Sequence, residues 1–309
     1  MLPQSPPGPP EGADLPGVFE SADAISGEGQ RDYLKWTRGR LQLALAAALF
    51  GGIAAAVDRH GAVEKTAAAL ALTAFIAALL TEVHLLRDKP EERWYNGRAL
   101  AESVKTLAWR YMAGAEPFPP SLGDDDAREV MLTRIHDLTT EANLPGLTFG
   151  QVQVTDRMRE VRALDFAGRK SAYLRLRVAD QESWYENKAR FNKRNSGRWR
   201  TILIVFEVLG VAASTVSLLD IADVDAGGVV AAAVAAAGAW LEVKQYDNLA
   251  SAYSLTATEL GFVRMTGENV TTEADWSRYV VSAEQAISRE HTMWLARRLG
   301  MRAVRMNAE

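Results

Sequence analysis

Four apolar runs, set as two close pairs, constrain this chain more than any other feature. They are Leu41 to Val57 (LQLALAAALFGGIAAAV), Thr66 to Thr81 (TAAALALTAFIAALLT), Thr201 to Leu219 (TILIVFEVLGVAASTVSLL) and Ala226 to Leu241 (AGGVVAAAVAAAGAWL). A helix crossing the hydrocarbon core wants about 20 apolar residues, with about 17 the usual lower limit, so these runs stand near that limit. Val83, Leu85 and Leu86 extend the second and Val243 the fourth. The competing reading is four buried helices of a soluble bundle. A bundle helix keeps a polar face, whereas the first two runs are apolar all round. The separators, DRHGAVEK and DIADVD, have the length of hairpin tips. The pattern predicts an all-α integral membrane protein with two transmembrane helix hairpins, four transmembrane helices in all, and long cytosolic helices.

Charge placement gives that topology a direction. Arg31, Lys35, Arg38 and Arg40 precede the first run, Arg87, Lys89, Arg93 and Arg98 follow the second, and Lys188, Arg190, Lys193, Arg194, Arg198 and Arg200 precede the third. The tip Asp220 to Asp225 has three Asp and no Lys or Arg. Positive residues mark the cytosolic side, so both tips are expected outside and both termini in the cytosol, as a multi-pass protein of the inner (plasma) membrane. The whole chain hides these runs, because its mean hydropathy is only −0.11.

The two halves resemble each other. Trp36, Arg38 and Arg40 precede one hairpin; Arg198, Trp199 and Arg200 precede the other. Glu82-Val83 closes the first and Glu242-Val243 the second. A polar helix with an acid follows each, around Glu102 and Glu259. The expected organisation is a disordered tail over 1–25, rich in Pro, Gly and acid and without the basic and apolar regions of a signal peptide. A helix–hairpin–helix unit follows over 26–119, with spans at 41–57 and 66–81. Pro/Gly/Asp clusters make 120–150 a linker with a short helix at Ala127 to Asn143. The second unit covers 151–300, with spans at 201–219 and 226–241, and 301–309 is a tail. Thr155 reads as an N-cap opening a long polar helix, continuous or kinked near Gly168 or Gly197. A break is expected at Pro90, a further amphipathic helix over Thr271 to Arg298, and at most one short strand at Val152 to Val154.

Catalytic signals are missing. GEGQRD at Gly27 lacks the lysine and the preceding strand of a P-loop, and there is no G-x-S-x-G elbow. The chain has no cysteine, and none of its histidines, His60, His84, His136 and His291, sits at ligand spacing from another. A net charge of −4 argues against nucleic acid as a partner. The expectation is a protein that is not an enzyme and holds no cofactor and no metal.

Glu207 is the most informative residue. An acid inside an apolar run costs about 2.5–3.5 kcal/mol at the membrane centre on insertion scales. Gly210, Val211, Ser214 and Ser217 follow it at helical spacing, giving a small, polar face. That face reads either as a pore wall or as a packed inter-helix interface. Small residues let membrane helices approach closely; Gly51, Gly52, Ala231, Ala235 and Gly238 are the candidates, for packing within a hairpin or between copies. Arg98, Glu102, Lys105 and Trp109 share one helix face, and Tyr185, Lys188 and Asn192 share another. They are candidates for lipid headgroups or for pairing with neighbouring helices.

WYNGRALAESVKTLAWRYMAGAEPF, Trp94 to Phe118, resembles the signature after the first hairpin of SLATT-type domains. RVADQESWYENKARFNKRNSGRW, followed by the Glu207 helix, resembles a second SLATT subtype. SLATT domains are two-transmembrane effectors of bacterial conflict systems, associated with nucleotidyltransferases and nucleotide-sensing SLOG domains. The resemblance spans roughly residues 25 to 300 as a tandem pair. It implies an oligomerising effector of anti-phage defence that forms a pore or disrupts the inner membrane, with the bilayer, further copies of itself and a nucleotide-signalling protein as partners. The alternative is a non-conducting scaffold or sensor whose cytosolic helices recruit a partner.

Overall fold

In the computed structural model, residues 14–57, 61–150, 152–219 and 226–288 are described. The first thirteen residues, the tip Asp220 to Asp225, the 301–309 tail and the end of the Thr271 to Arg298 helix lie outside them. The described residues are helical, with no strand: α1 (Gly17–Ala56), α2 (Ala62–Asp88), α3 (Pro90–Ala113), α4 (Asp124–Ala142), α5 (Asp156–Arg162), α6 (Phe166–Tyr173), a π-helical turn (Leu174–Ala179), α7 (Asp180–Leu218), α8 (Ala226–Lys244), α9 (Tyr246–Glu268) and α10 (273–288). The chain separates into a first unit of 1–29, 91–189 and 251–309 and a second of 30–90 and 190–250.

Helix boundaries follow local chemistry. Thr155 caps α5 by accepting the Met158 amide at 3.2 Å, and Asp165 caps α6 by accepting that of Gly168 at 2.7 Å; each satisfies an orphan donor of a first turn. The long helix expected from Thr155 therefore breaks at 163–165, ahead of Gly168. Gly197 introduces no break, and α7 runs on through it. Lys89 adopts left-handed backbone, φ 44°, before Pro90 opens α3. Proline fits there because the first helical amide has no intrahelical partner. Gln245, φ 48°, makes the same break before α9, so each copy parts its hairpin from the following helix at a left-handed non-glycine residue.

The first unit buries large side chains. Trp109, Trp276, Tyr111, Tyr173, Phe118, Met112, Met131 and Ile135 are nearly inaccessible. Such apolar burial is worth about 1.5–3 kcal/mol for a side chain of Met or Ile size. The Trp276 indole donates to the Ala113 carbonyl at 2.9 Å. Arg162 lies buried and gives its guanidinium to the carbonyls of Tyr111, Phe118, Pro119 and Leu122. Three expectations change here. The 1–25 tail gives way to helix at Gly17, because Leu15, Val18 and Ala22 enter the core and the Gly17 amide bonds to Val152 O at 2.8 Å. Val152 to Val154 is that docking segment, not a strand. A Cβ at Gly150 (φ +68°) would stand 2.9 Å from the Gly17 Cα, so the approach depends on both glycines. The 120–150 linker is equally part of the core, since α4 buries Ala127, Met131 and Ile135.

The second unit does the opposite. On α2 the buried side chains are Ala67, Ala71, Ala74 and Thr81, while Leu72, Phe75, Leu79 and Leu80 are about 60% exposed (61%, 59%, 63% and 63%). Val211 and Leu218 of α7 are exposed as well. Among the described residues four helices are long and apolar enough to cross a membrane. At about 1.5 Å per residue, the 40 residues of α1 and the 39 of α7 make helices about twice as long as a hydrocarbon core of about 30 Å is thick. Small residues inside and large apolar ones outside is the packing expected when lipid is the solvent.

Candidate functional site

In the hairpin unit α8 meets both α1 and α7. A Cβ at Gly52 of α1 would meet Val229 Cγ2 at 3.1 Å, and one at Gly210 of α7 would meet Val230 Cγ1 at 3.3 Å. Two adjacent valines thus fill the space left by two glycines on different helices. Gly51 and Gly238 have open space at the Cβ position, and Ala231 and Ala235 face outward. The small residues therefore divide: Gly52 and Gly210 serve packing within the chain, and Ala231 and Ala235 lie on its outer surface.

The expected polar face divides likewise. Gly210 belongs to the seam with Val230, beside half-buried Leu203, Phe206 and Ala213, whereas Glu207, Ser214 and Ser217 are exposed. Among the described residues the Glu207 carboxylate has no hydrogen-bond or ion-pair partner.

Each hairpin is clamped near its base. In the first, Arg40 pairs with Glu82, and Trp36 packs edge-on against His84 at 4.6 Å. In the second, Ser196 donates to Asp247 at 3.3 Å and Arg200 stands 4.0 Å from the same carboxylate. Trp36 and Trp199 hold corresponding positions ahead of the two hairpins. The acid equivalent to Glu82 is Asp247, while Glu242 is exposed.

The remaining candidates do not converge on one surface. Arg98 pairs with Glu102 at 3.8 Å, and Trp109 is buried edge-on against Tyr173. Tyr185 is buried with Trp184 and Tyr253, and Lys188 lies 5.5 Å over the Trp184 ring. Asn192 is buried in the second unit, and Glu259 is half-buried in the first. Lys105 is driven below the usual lysine range by burial, then by nearby Arg177, against the opposing pull of Glu102, Asp180 and Glu284.

A buried ionic cluster organises the first unit and carries residues that the sequence reading missed. Glu284 on α10 is fully enclosed. Arg177 gives it two hydrogen bonds, 3.0 and 2.8 Å, Tyr173 donates at 2.9 Å, and Thr106 donates at 2.9 Å. Burial alone would lower the Arg177 guanidinium, but the charge and hydrogen bonds of Glu284 outweigh it and hold it up. Burial, then the Glu284 charge, pushes the Tyr173 phenol well up. Arg177 sits in the π-helical turn, a rare element often found at functional positions, and α7 continues directly from that turn. A signal existed: Trp276, Val280, Glu284 and Ile287 share one helix face, so an acid stands in an otherwise apolar stripe.

Residues 16–170 match the family model for SMODS and SLOG-associating 2TM effector domain 3. Residues 173–294 match that for SMODS and SLOG-associating 2TM effector domain 1. The chain belongs to the SLATT family. It carries two SLATT domains in tandem, each with one of the two hairpins, and is a multi-pass membrane protein of the effector class. No curated protein and no solved structure matches it.

Proposed function

We propose that this tandem SLATT protein permeabilises the bacterial inner membrane by assembling several copies through the outer faces of its hairpins. One observation carries the reading: an unpaired Glu207, with Ser214 and Ser217, lies on the exposed side of a helix whose other side is sealed by Gly210 against Val230. An exposed intramembrane acid is expensive toward lipid. Assembly that turns it toward water or a neighbouring copy removes that cost. Ala231 and Ala235 offer the close-approach surface for such a neighbour. Both termini are cytosolic in this proposal, because the basic clusters flank the hairpin bases. The family's association with SMODS and SLOG proteins supports a nucleotide-signalling trigger in anti-phage defence, with the bilayer rather than a covalent substrate as the target.

The test is reconstitution in liposomes with a dye-release or ion-flux readout. Wild-type protein is expected to release cargo above a threshold protein-to-lipid ratio, and Glu207→Leu and Ala235→Leu to abolish release while still inserting. Intact liposomes with inserted wild-type protein at high density, or unchanged release by both variants, would favour the non-conducting scaffold instead.

A further inference from the structure

We infer that the cleft between α3, α4 and α10 binds a phosphate ester. The cleft has a volume of about 670 Å³, well above what a bare anion fills and within the range of about 300–1,000 Å³ for small-molecule sites. Arg110 and Arg134 line it from two helices. Among the described residues neither guanidinium has a hydrogen bond or ion pair, and the Arg110 Nε is fully enclosed without a partner. Glu116, Asp137 and Glu141 line the same cleft, yet none lies within 4.0 Å of either guanidinium. Buried polar nitrogens are normally satisfied, so half-buried Arg110 lacks an acceptor that the chain does not supply, and exposed Arg134 lines the same cleft.

The rest of the wall narrows the chemistry. Ser103 brings a hydroxyl that can donate to a phosphate oxygen, the Thr106 proton being held by Glu284, and Leu107, Leu138 and Val281 give an apolar side for the organic group. Two forked guanidiniums from two helices suit an anion with three acceptor oxygens, a phosphate, over a carboxylate with two. The three wall carboxylates oppose an anion, which puts the phosphate at the arginines and the organic part toward α10. Thr106 also donates to Glu284, so an occupant touches a side chain of the buried ionic cluster. The inference does not depend on the pore reading, because every residue involved lies in the first unit.

The test is titration calorimetry on the full chain in detergent, with phenyl phosphate as probe and glycerol phosphate as its ringless counterpart. Phenyl phosphate is expected to saturate one site per chain and to bind more tightly than glycerol phosphate. Arg110→Gln and Arg134→Gln should each weaken it by about tenfold or more, as expected for a lost charge-assisted hydrogen bond. Asp137→Asn and Glu141→Gln should tighten it by about two- to fivefold through removed repulsion, a gain that misfolding cannot imitate. Repeating the titration in phosphatidylglycerol and phosphatidylcholine nanodiscs separates the sources of the phosphate. Weaker probe binding in phosphatidylglycerol alone identifies a lipid headgroup as occupant, and equal binding a free ester. No saturable binding, or binding indifferent to both arginine variants, overturns the inference.

Discussion

The two units of this protein use apolar residues in opposite ways. In the first, Trp109, Trp276, Phe118 and Met131 are buried, and the fully enclosed charges of Arg177 and Glu284 are paired. In the second, Ala67, Ala71 and Ala74 are inside, and Leu72, Phe75, Leu79 and Leu80 are outside. Water rewards hiding large apolar groups. Lipid does not, so close packing of small residues and backbone takes over. Within one chain, the side that a leucine faces reports its solvent. Helices α1 and α7 each contribute to both units, so the rule changes partway along a single helix.

The contrast can be broken most forcefully at Glu284. Its replacement by Gln leaves Arg177 without its counter-charge in the first unit and should cost about 3–5 kcal/mol. Chemical denaturation followed by tryptophan fluorescence would read this, and Arg177→Met combined with Glu284→Met should recover much of the loss. Next comes one chemical change made in both units. Met131→Ala should destabilise by about 2–5 kcal/mol, whereas Leu79→Ala in the second unit should leave the denaturation midpoint almost unmoved. Equal losses would mean that α2 lies in a water-excluded protein core rather than in lipid.

Glycine substitutions give a smaller contrast. Gly52→Leu overpacks against Val229 and should cost about 1–3 kcal/mol. Gly238→Leu meets open space and should leave the monomer's stability unchanged. Resistance of detergent-solubilised protein to thermal aggregation would rank the two. The smallest effect expected is that of Lys105. Its folded pKa lies below the unfolded value, so between the two the unfolded chain binds more protons and stability rises with pH. Charged Lys105 is therefore a net cost that fades above its folded pKa. Lys105→Met should stabilise the protein at neutral pH, and the advantage should shrink as pH approaches the usual lysine value of about 10.4.

Much of this architecture is legible in the sequence because local signals carry it. The four apolar runs locate the hairpins, Thr155 and Pro90 mark helix boundaries by simple capping chemistry, and the residues after the first hairpin carry the family signature. What escaped depends on tertiary contacts. Gln245 breaks a helix with no glycine or proline to announce it. The segment from Leu15 to Ala22 looks like the end of a disordered tail until its contacts with Val152 are known. Arg177 and Glu284 lie 107 residues apart, so the apolar stripe around Glu284 marks an acid out of place without naming its partner. Glu242 matched Glu82 by its neighbour Val243, but the clamp falls to Asp247, because α8, at 19 residues, is eight shorter than α2, at 27. The candidate site was half legible: Glu207 stood out as an acid among apolar residues, whereas the division of its face needed the position of Val230.

The central claim, that both hairpins cross the bilayer, can be tested directly because the chain contains no cysteine. Single cysteines would be placed near the tips, at Val63 and Leu219, and near the bases, at Arg87 and Arg194, and each variant exposed to a membrane-impermeant maleimide in spheroplasts. Labelling of Val63→Cys and Leu219→Cys in intact spheroplasts, with Arg87→Cys and Arg194→Cys reacting only after permeabilisation, is the predicted result. Protection of all four until permeabilisation, or reaction of all four before it, would contradict it.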